Sequence, residues 1–111
     1  MIFVVDFDGT FTAAPELFAK FIRDAQVMGH RAVIATGRAN TEDNVAQVAD
    51  YLHAHDLAVP VYFCGSRPKK KVLLEQGLPV VDVWLDDNPA MVDLGYEGLT
   101  RFGENVGGSR G

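Results

Sequence analysis

Four mainly apolar runs, rich in β-branched and aromatic residues, punctuate the chain, and each ends in a polar turn. Ile2-Phe3-Val4-Val5 runs into Asp6-Phe7-Asp8-Gly9-Thr10, and Arg31-Ala32-Val33-Ile34-Ala35 into Thr36-Gly37-Arg38. Val59 to Phe63 runs into Cys64-Gly65-Ser66, and Val80 to Leu85 into Asp86-Asp87-Asn88-Pro89. Runs of this length and composition read as buried strands. The segments between them carry helical periodicity. From Pro15 to Met28, the residues Leu17, Phe18, Phe21, Ile22, Ala25 and Met28 share one face, with Pro15 suited to a first turn and Gly29 to a stop. Thr41-Glu42-Asp43 opens a second helix with acids in its first turn, and Val45, Val48, Ala49 and Leu52 form its stripe. Pro68 opens a short third helix to about Glu75, which Gly77 ends. Beyond Pro89 the pattern weakens to a turn or two of helix up to about Leu94, a short fifth strand over Leu99 to Phe102, and a Gly-rich tail over 103–111.

Strands that alternate with helices and are apolar throughout imply a parallel sheet covered on both faces, an α/β fold of three layers in the Rossmann-like manner. Right-handed crossovers then bring every carboxyl end to one edge of the sheet, where the ligand crevice of such folds lies. The residues capable of chemistry occupy those ends: Asp6 and Asp8, Thr36 to Arg38, Cys64 to Ser66, and Asp86 with Asp87.

Composition narrows the picture. The 111 residues, 48% of them apolar, suit one domain over 1–102 followed by the tail. Fifteen acids against ten bases give a net charge of −5, which argues against extended, nonspecific binding to a polyanion. The single cysteine, Cys64, has no partner for an internal disulfide, so a reducing compartment is expected. The first strand begins at Ile2, leaving no space for a signal peptide, and no apolar run nears the ~18 residues that span a bilayer. A cytoplasmic protein is expected.

Asp6 and Asp8 hold the first chemical signal. A carboxylate pair at the end of a buried strand is costly unless a cation or a proton is shared there. A hard divalent cation would bind the first carboxylate and a backbone carbonyl, leaving the second carboxylate to handle protons. The plain alternative is a strand closing in an ordinary Asp-Gly turn.

In order, the chain reads Asp-x-Asp-Gly-Thr, an apolar strand ending in Thr36, a lysine at a helix start, and an apolar strand ending in Asp86-Asp87. This order, spanning Asp6 to Asp87, resembles the haloacid dehalogenase (HAD) superfamily, whose members are mostly phosphatases. The resemblance implies that Asp6 is a nucleophile forming an aspartyl-phosphate. It also implies that Asp8 donates a proton to the leaving oxygen and later takes one from water. Mg2+ would be held by Asp6, the Asp8 carbonyl and Asp86, with Asp87 supporting it through water or holding the lysine. Thr36 and the Gly37 N–H would contact phosphoryl oxygens. Lys69, nearest the helix start, is the first choice for the catalytic lysine, and Lys70 is the alternative, with a further reading as a substrate contact. Arg38, at the rim, reads equally as a substrate contact or a surface arginine.

For the remaining residues the structural reading comes first: His53 and His55 near a helix end, His30 before a strand, and Cys64 and Trp84 as packing groups. The superfamily's small-molecule enzymes often carry a cap domain inserted after the first or third strand. Here one helix fills the first gap and a few residues the second, with Phe11 to Ala13 making at most a flap. An open site suits a nucleotide, a nucleic-acid end or another large phosphorylated substrate, or a homo-oligomer whose second subunit covers it. Two other classes stand beside the phosphatase. One is a non-catalytic phosphate- or metal-binding module on the same fold. The other is a receiver-like phosphoacceptor domain, which would need an Asp where the third strand ends in Cys64-Gly65.

Overall fold

The computed structural model describes residues 1–78, 80–95 and 97. Among these residues four strands and four α-helices alternate: β1 (Ile2–Asp6), α1 (Pro15–Val27), β2 (Arg31–Thr36), α2 (Glu42–Ala54), β3 (Val61–Phe63), α3 (Lys69–Glu75), β4 (Val83–Leu85) and α4 (Ala90–Asp93). The strands form one parallel sheet in the order β3-β2-β1-β4. The fold is therefore α/β, as the alternating pattern implies. The expected fifth strand, the cap-free domain's end at 102 and the tail lie outside the described residues.

Side-chain alternation along the strands builds two cores. Phe3, Val5, Ala32, Ile34, Val61, Phe63 and Leu85 face Ala19 and Ile22 of α1 and Val48 and Leu52 of α2. Ile2, Val4, Val33, Ala35, Tyr62, Cys64 and Trp84 face Val72 and Leu73 of α3. One set of helices thus covers each face, as right-handed crossovers dictate for this strand order. The chain steps outward from β1 to β2 to β3 and then crosses back to the far side of β1. Helix α4 packs against α3. The loops leaving β1 and β4 therefore diverge to opposite faces, which opens a crevice between their carboxyl ends.

Two strands are shorter than the apolar runs suggest. Pairing on β3 begins at Val61 rather than Val59; Pro60 has no N–H to give, and only its carbonyl joins, accepting from the Ile34 N–H at 2.9 Å. On β4 pairing begins at Val83 rather than Val80. Just before it, the Asp82 carboxylate accepts from the Ile2 N–H at 2.7 Å, and the Asp82 N–H donates to the Ile2 carbonyl at 2.9 Å.

The segment after α4 is tied to the loop before α3. The Glu97 N–H donates to the Ser66 carbonyl at 2.9 Å. Gly95 sits at φ +66°, so close to Ser66–Pro68 that a Cβ would lie 2.5 Å from the Ser66 carbonyl oxygen. Gly77, which ends α3, has a similar φ of +87° but open space around it. Gly77→Ala carries only the left-handed backbone cost, about 1 kcal/mol. Gly95→Ala adds a backbone collision, and a loss of about 2 kcal/mol or more is expected. Urea unfolding of the two variants measures the difference, and equal losses would show that the Ser66–Pro68 contact does not constrain the fold.

Candidate active site

The crevice between β1 and β4 is lined by carboxylates because register puts them there. Val5 pairs with Leu85, so Asp6 and Asp86 each follow a paired residue on neighbouring strands. Asp6 also pairs with Ala35, which places Thr36 beside the turn that follows β1. In that turn, Phe7–Phe11, Asp8 is extended and Gly9 takes φ +84°, a conformation suited to glycine. The backbone folds back so that the Thr10 hydroxyl donates to Asp6 Oδ2 at 3.1 Å.

Lys69 enters from α3. Pro68, extended at ψ 128°, precedes the first helical residue and directs Lys69 inward. The lysine is 1% exposed, and its Nζ donates to Asp6 Oδ1 and to Asp86 Oδ2, both at 2.7 Å. Asp86 Oδ1 accepts from the Asn88 N–H at 2.9 Å. Lys70 is exposed and borders a cavity of about 270 Å³ with Leu78, Val80, Val81 and Trp84; no carboxylate lines that cavity. Of the two candidate lysines, the structure brings Lys69 to the carboxylates and leaves Lys70 outside. Asp87 is not the residue that holds the lysine; that partner is Asp86, while the Asp87 N–H donates to the Thr10 hydroxyl at 3.1 Å.

Asp6, Asp86 and Asp87 each offer one oxygen, and the three oxygens lie within 4.8 Å of one another. An all-oxygen, anionic donor set of this span fits a hard divalent cation. Two of the three carboxylates, Asp6 and Asp86, share the buried Lys69 ammonium. Burial first, and then the hydrogen bond with Asp87, push the Asp6 carboxyl up from 3.8 to about 8, against the pull of Lys69.

The Asp8 carboxylate faces elsewhere. Its Oδ2 and Oδ1 accept from Arg38 Nε at 2.8 Å and Nη2 at 2.9 Å, a two-pronged pair. The guanidinium carbon lies 5.3 Å from the Phe7 ring centroid, and Nη1 donates to the Gln47 side chain at 3.1 Å. The Asp8 hydrogen bonds push the Arg38 guanidinium above its ordinary value. Thr36 is fully buried, its hydroxyl oxygen accepting from the Arg38 N–H at 3.1 Å, and Gly37 beside it is buried too.

One sequence expectation changes here, while those for the histidines, Cys64 and Trp84 hold. Phe11 is no flap; it is fully buried, its ring stacked near Phe7 and edge-on to Tyr51. The histidines stay apart from the carboxylates: His30 meets the N-terminal amine at 2.8 Å, His55 packs on Tyr51 and Phe11, and His53 is exposed. Cys64 is buried in the second core, where burial pushes its thiol up to about 11. Trp84 is half-buried against that same core. Thr10 and Gln47 were given no role from sequence. Thr10 was legible in principle, since four residues after Asp6 is one turn of a chain that folds back.

No helix among the described residues is long and apolar enough to cross a membrane. Comparison of the chain with protein-family models, with curated proteins and with solved structures finds no match in any of the three.

Removing the Lys69 ammonium strands Asp6 and Asp86. Lys69→Ala is expected to cost about 3–5 kcal/mol of stability, and Lys70→Ala no more than about 0.5 kcal/mol. Urea unfolding in chelator at neutral pH compares them, and a neutral Lys69→Ala would mean the buried pair contributes nothing.

The Asp6 shift fixes a sign. Unfolded, this carboxyl loses its proton near 3.8, and folded, near 8. Its contribution to stability is complete below the lower value and is lost as pH rises through the higher one. A divalent cation takes the ionised form. Added Mg2+ should therefore raise the melting temperature more at pH ~8 than at pH ~6. Thermal melts with and without chelator read this, and equal increments at both pH values would remove Asp6 from the cation site.

Proposed function

We propose that this chain is a divalent-cation-dependent phosphatase that hydrolyses phosphate monoesters through an aspartyl-phosphate on Asp6. The observation that carries the reading is the Lys69 ammonium buried between Asp6 and Asp86, with Asp87 completing a cluster of three carboxylates at the crevice. On this reading the fold is a three-layer, Rossmann-like core of the HAD type without a cap.

The carboxylates of Asp6, Asp86 and Asp87 fit Mg2+, with the Asp8 carbonyl as a further oxygen ligand. When bound, the cation neutralises charge that would otherwise keep a phosphate away from a carboxylate. Asp6 attacks phosphorus, and the bond to the leaving oxygen breaks. Lys69 holds Asp6 in place and balances charge at the nucleophile. On this reading the Thr36 hydroxyl and the Gly37 N–H would donate to phosphoryl oxygens. Asp8 gives its proton to the leaving alkoxide, then takes one from the water that splits the acyl-phosphate and restores Asp6.

The crevice is open. Only residues 7–14 separate β1 from α1, and only residues 64–68 separate β3 from α3. Asp87 is exposed and the Asp8 side chain is 30% exposed. Small esters would be held almost wholly by the phosphoryl group. A nucleotide, a nucleic-acid end or another large phosphorylated substrate suits this opening, as does a second subunit lying over it.

Asp6→Asn should lower turnover of an aryl phosphate at least ~10³-fold. Excess chelator should abolish wild-type turnover, and Mg2+ should restore it. A rate for Asp6→Asn within tenfold of wild type would remove the nucleophile role, and activity persisting in chelator would remove the cation.

A further inference from the structure

We propose that Arg38 is a charge-exchange latch: it holds Asp8 until a second anionic group, flanking the scissile phosphate, takes its place on the guanidinium. This deepens the phosphatase reading and rests on it. The preferred substrate class is then a phosphate monoester with another negative charge close by, such as a phosphodiester or a carboxylate.

Asp8 sets the first requirement. To pass a proton to a leaving oxygen, its carboxylate must leave the ion pair, take a proton from solvent and turn that oxygen toward the substrate. Both oxygens accept from Arg38, at 2.8 and 2.9 Å. Freeing one oxygen without replacement breaks a two-pronged ion pair. A second anion of the substrate removes that cost, because the fork of donors suits a phosphodiester or carboxylate as well as it suits Asp8.

The surroundings of Arg38 favour exchange over collapse. The Phe7 ring and the Gln47 side chain hold the guanidinium from sides that Asp8 does not use. The backbone is pinned too: the Arg38 N–H donates to Thr36 Oγ1, and its carbonyl accepts from the Gly65 N–H at 3.2 Å. The group stays at the rim when its carboxylate partner leaves. Both side chains are about a quarter to a third exposed, at 26% and 30%, so an incoming anion can reach the pair. Lys69, at 1% exposure, cannot serve this purpose.

The test compares probes that differ only in the second charge. One pair is a thymidine dinucleotide bearing a terminal phosphate monoester, with either a phosphodiester or an uncharged methylphosphonate linkage. The other pair is phosphoglycolate and ethyl phosphate. In wild type, kcat/KM should favour the charged member by about tenfold, the order expected of one charged hydrogen-bonded contact. Part of the gain should lie in kcat, because the exchange frees Asp8. In Arg38→Gln the preference should fall to within about twofold, and Arg38→Lys should keep part of it. A merely structural role would slow all four probes alike and leave the ratios untouched.

The dinucleotide pair and the carboxylate pair separate the two sources of the anion, and a preference in either one supports the latch. Equal wild-type kcat/KM within both pairs would overturn it, as would a ratio that survives in Arg38→Gln. Absence of turnover for every probe would overturn the phosphatase reading instead. Calorimetric binding of the two dinucleotides to Asp6→Asn then decides. A charged-linkage preference that disappears on adding Arg38→Gln supports anion exchange at Arg38, and no preference overturns it.

Discussion

The Lys69 ammonium has no water to fall back on. It is held between two carboxylates in a crevice where burial would otherwise make each charge costly. Several features of the chain follow from that constraint. β1 and β4 must be neighbours so that Asp6 and Asp86 sit side by side. Helix α3 must begin at Lys69, one residue after an extended proline, or the ammonium would point elsewhere. The loop before α3 must be held still, and the contacts of Gly95 and Glu97 with Ser66–Pro68 do so. Even so, burial and then the hydrogen bond with Asp87 outweigh the pull of Lys69, and the Asp6 carboxyl is pushed up to about 8.

The two ion pairs of the crevice differ in kind. Buried charges lose far more when one partner goes than exposed charges do, several kcal/mol against about one or less. Lys69 with Asp6 and Asp86 belongs to the first class, Arg38 with Asp8 to the second. The first is a fixed part of the frame. The second sits at the rim, between solvent and a hydrogen-bonded support, where partners can trade at small cost. On the proposed reading the first holds the reacting group and the second responds to what arrives.

The sequence made the order of elements and the gathering of polar strand ends legible, because each strand is a run of β-branched or aromatic residues closed by a polar turn. Asp6, Thr36 and Asp86 come from that logic alone. Strand starts were less legible, since apolar character runs on past the point where backbone pairing begins, as Val59 and Val80 show. The choice among consecutive lysines turns on helix phase, and phase depends on the ψ of Pro68, which composition does not encode. The partner of Arg38 was hidden because it lies 30 residues away, across two strand ends. Phe11 differs for a related reason: a turn that folds back on itself puts the second residue after Gly9 inside the core.

Strand order has a consequence for synthesis. β1 is made first, yet it lies inside the sheet, and its second neighbour, β4, is the last strand described. Until β4 leaves the ribosome, one edge of β1 lacks its partner and Asp6 lacks the wall that dries it. The penalty for burying that carboxylate is thereby postponed until Lys69 and Asp86 both exist to meet it. A nascent chain halted before residue 83 lacks β4 and α4, and with β4 the neighbour that makes burying Asp6 expensive.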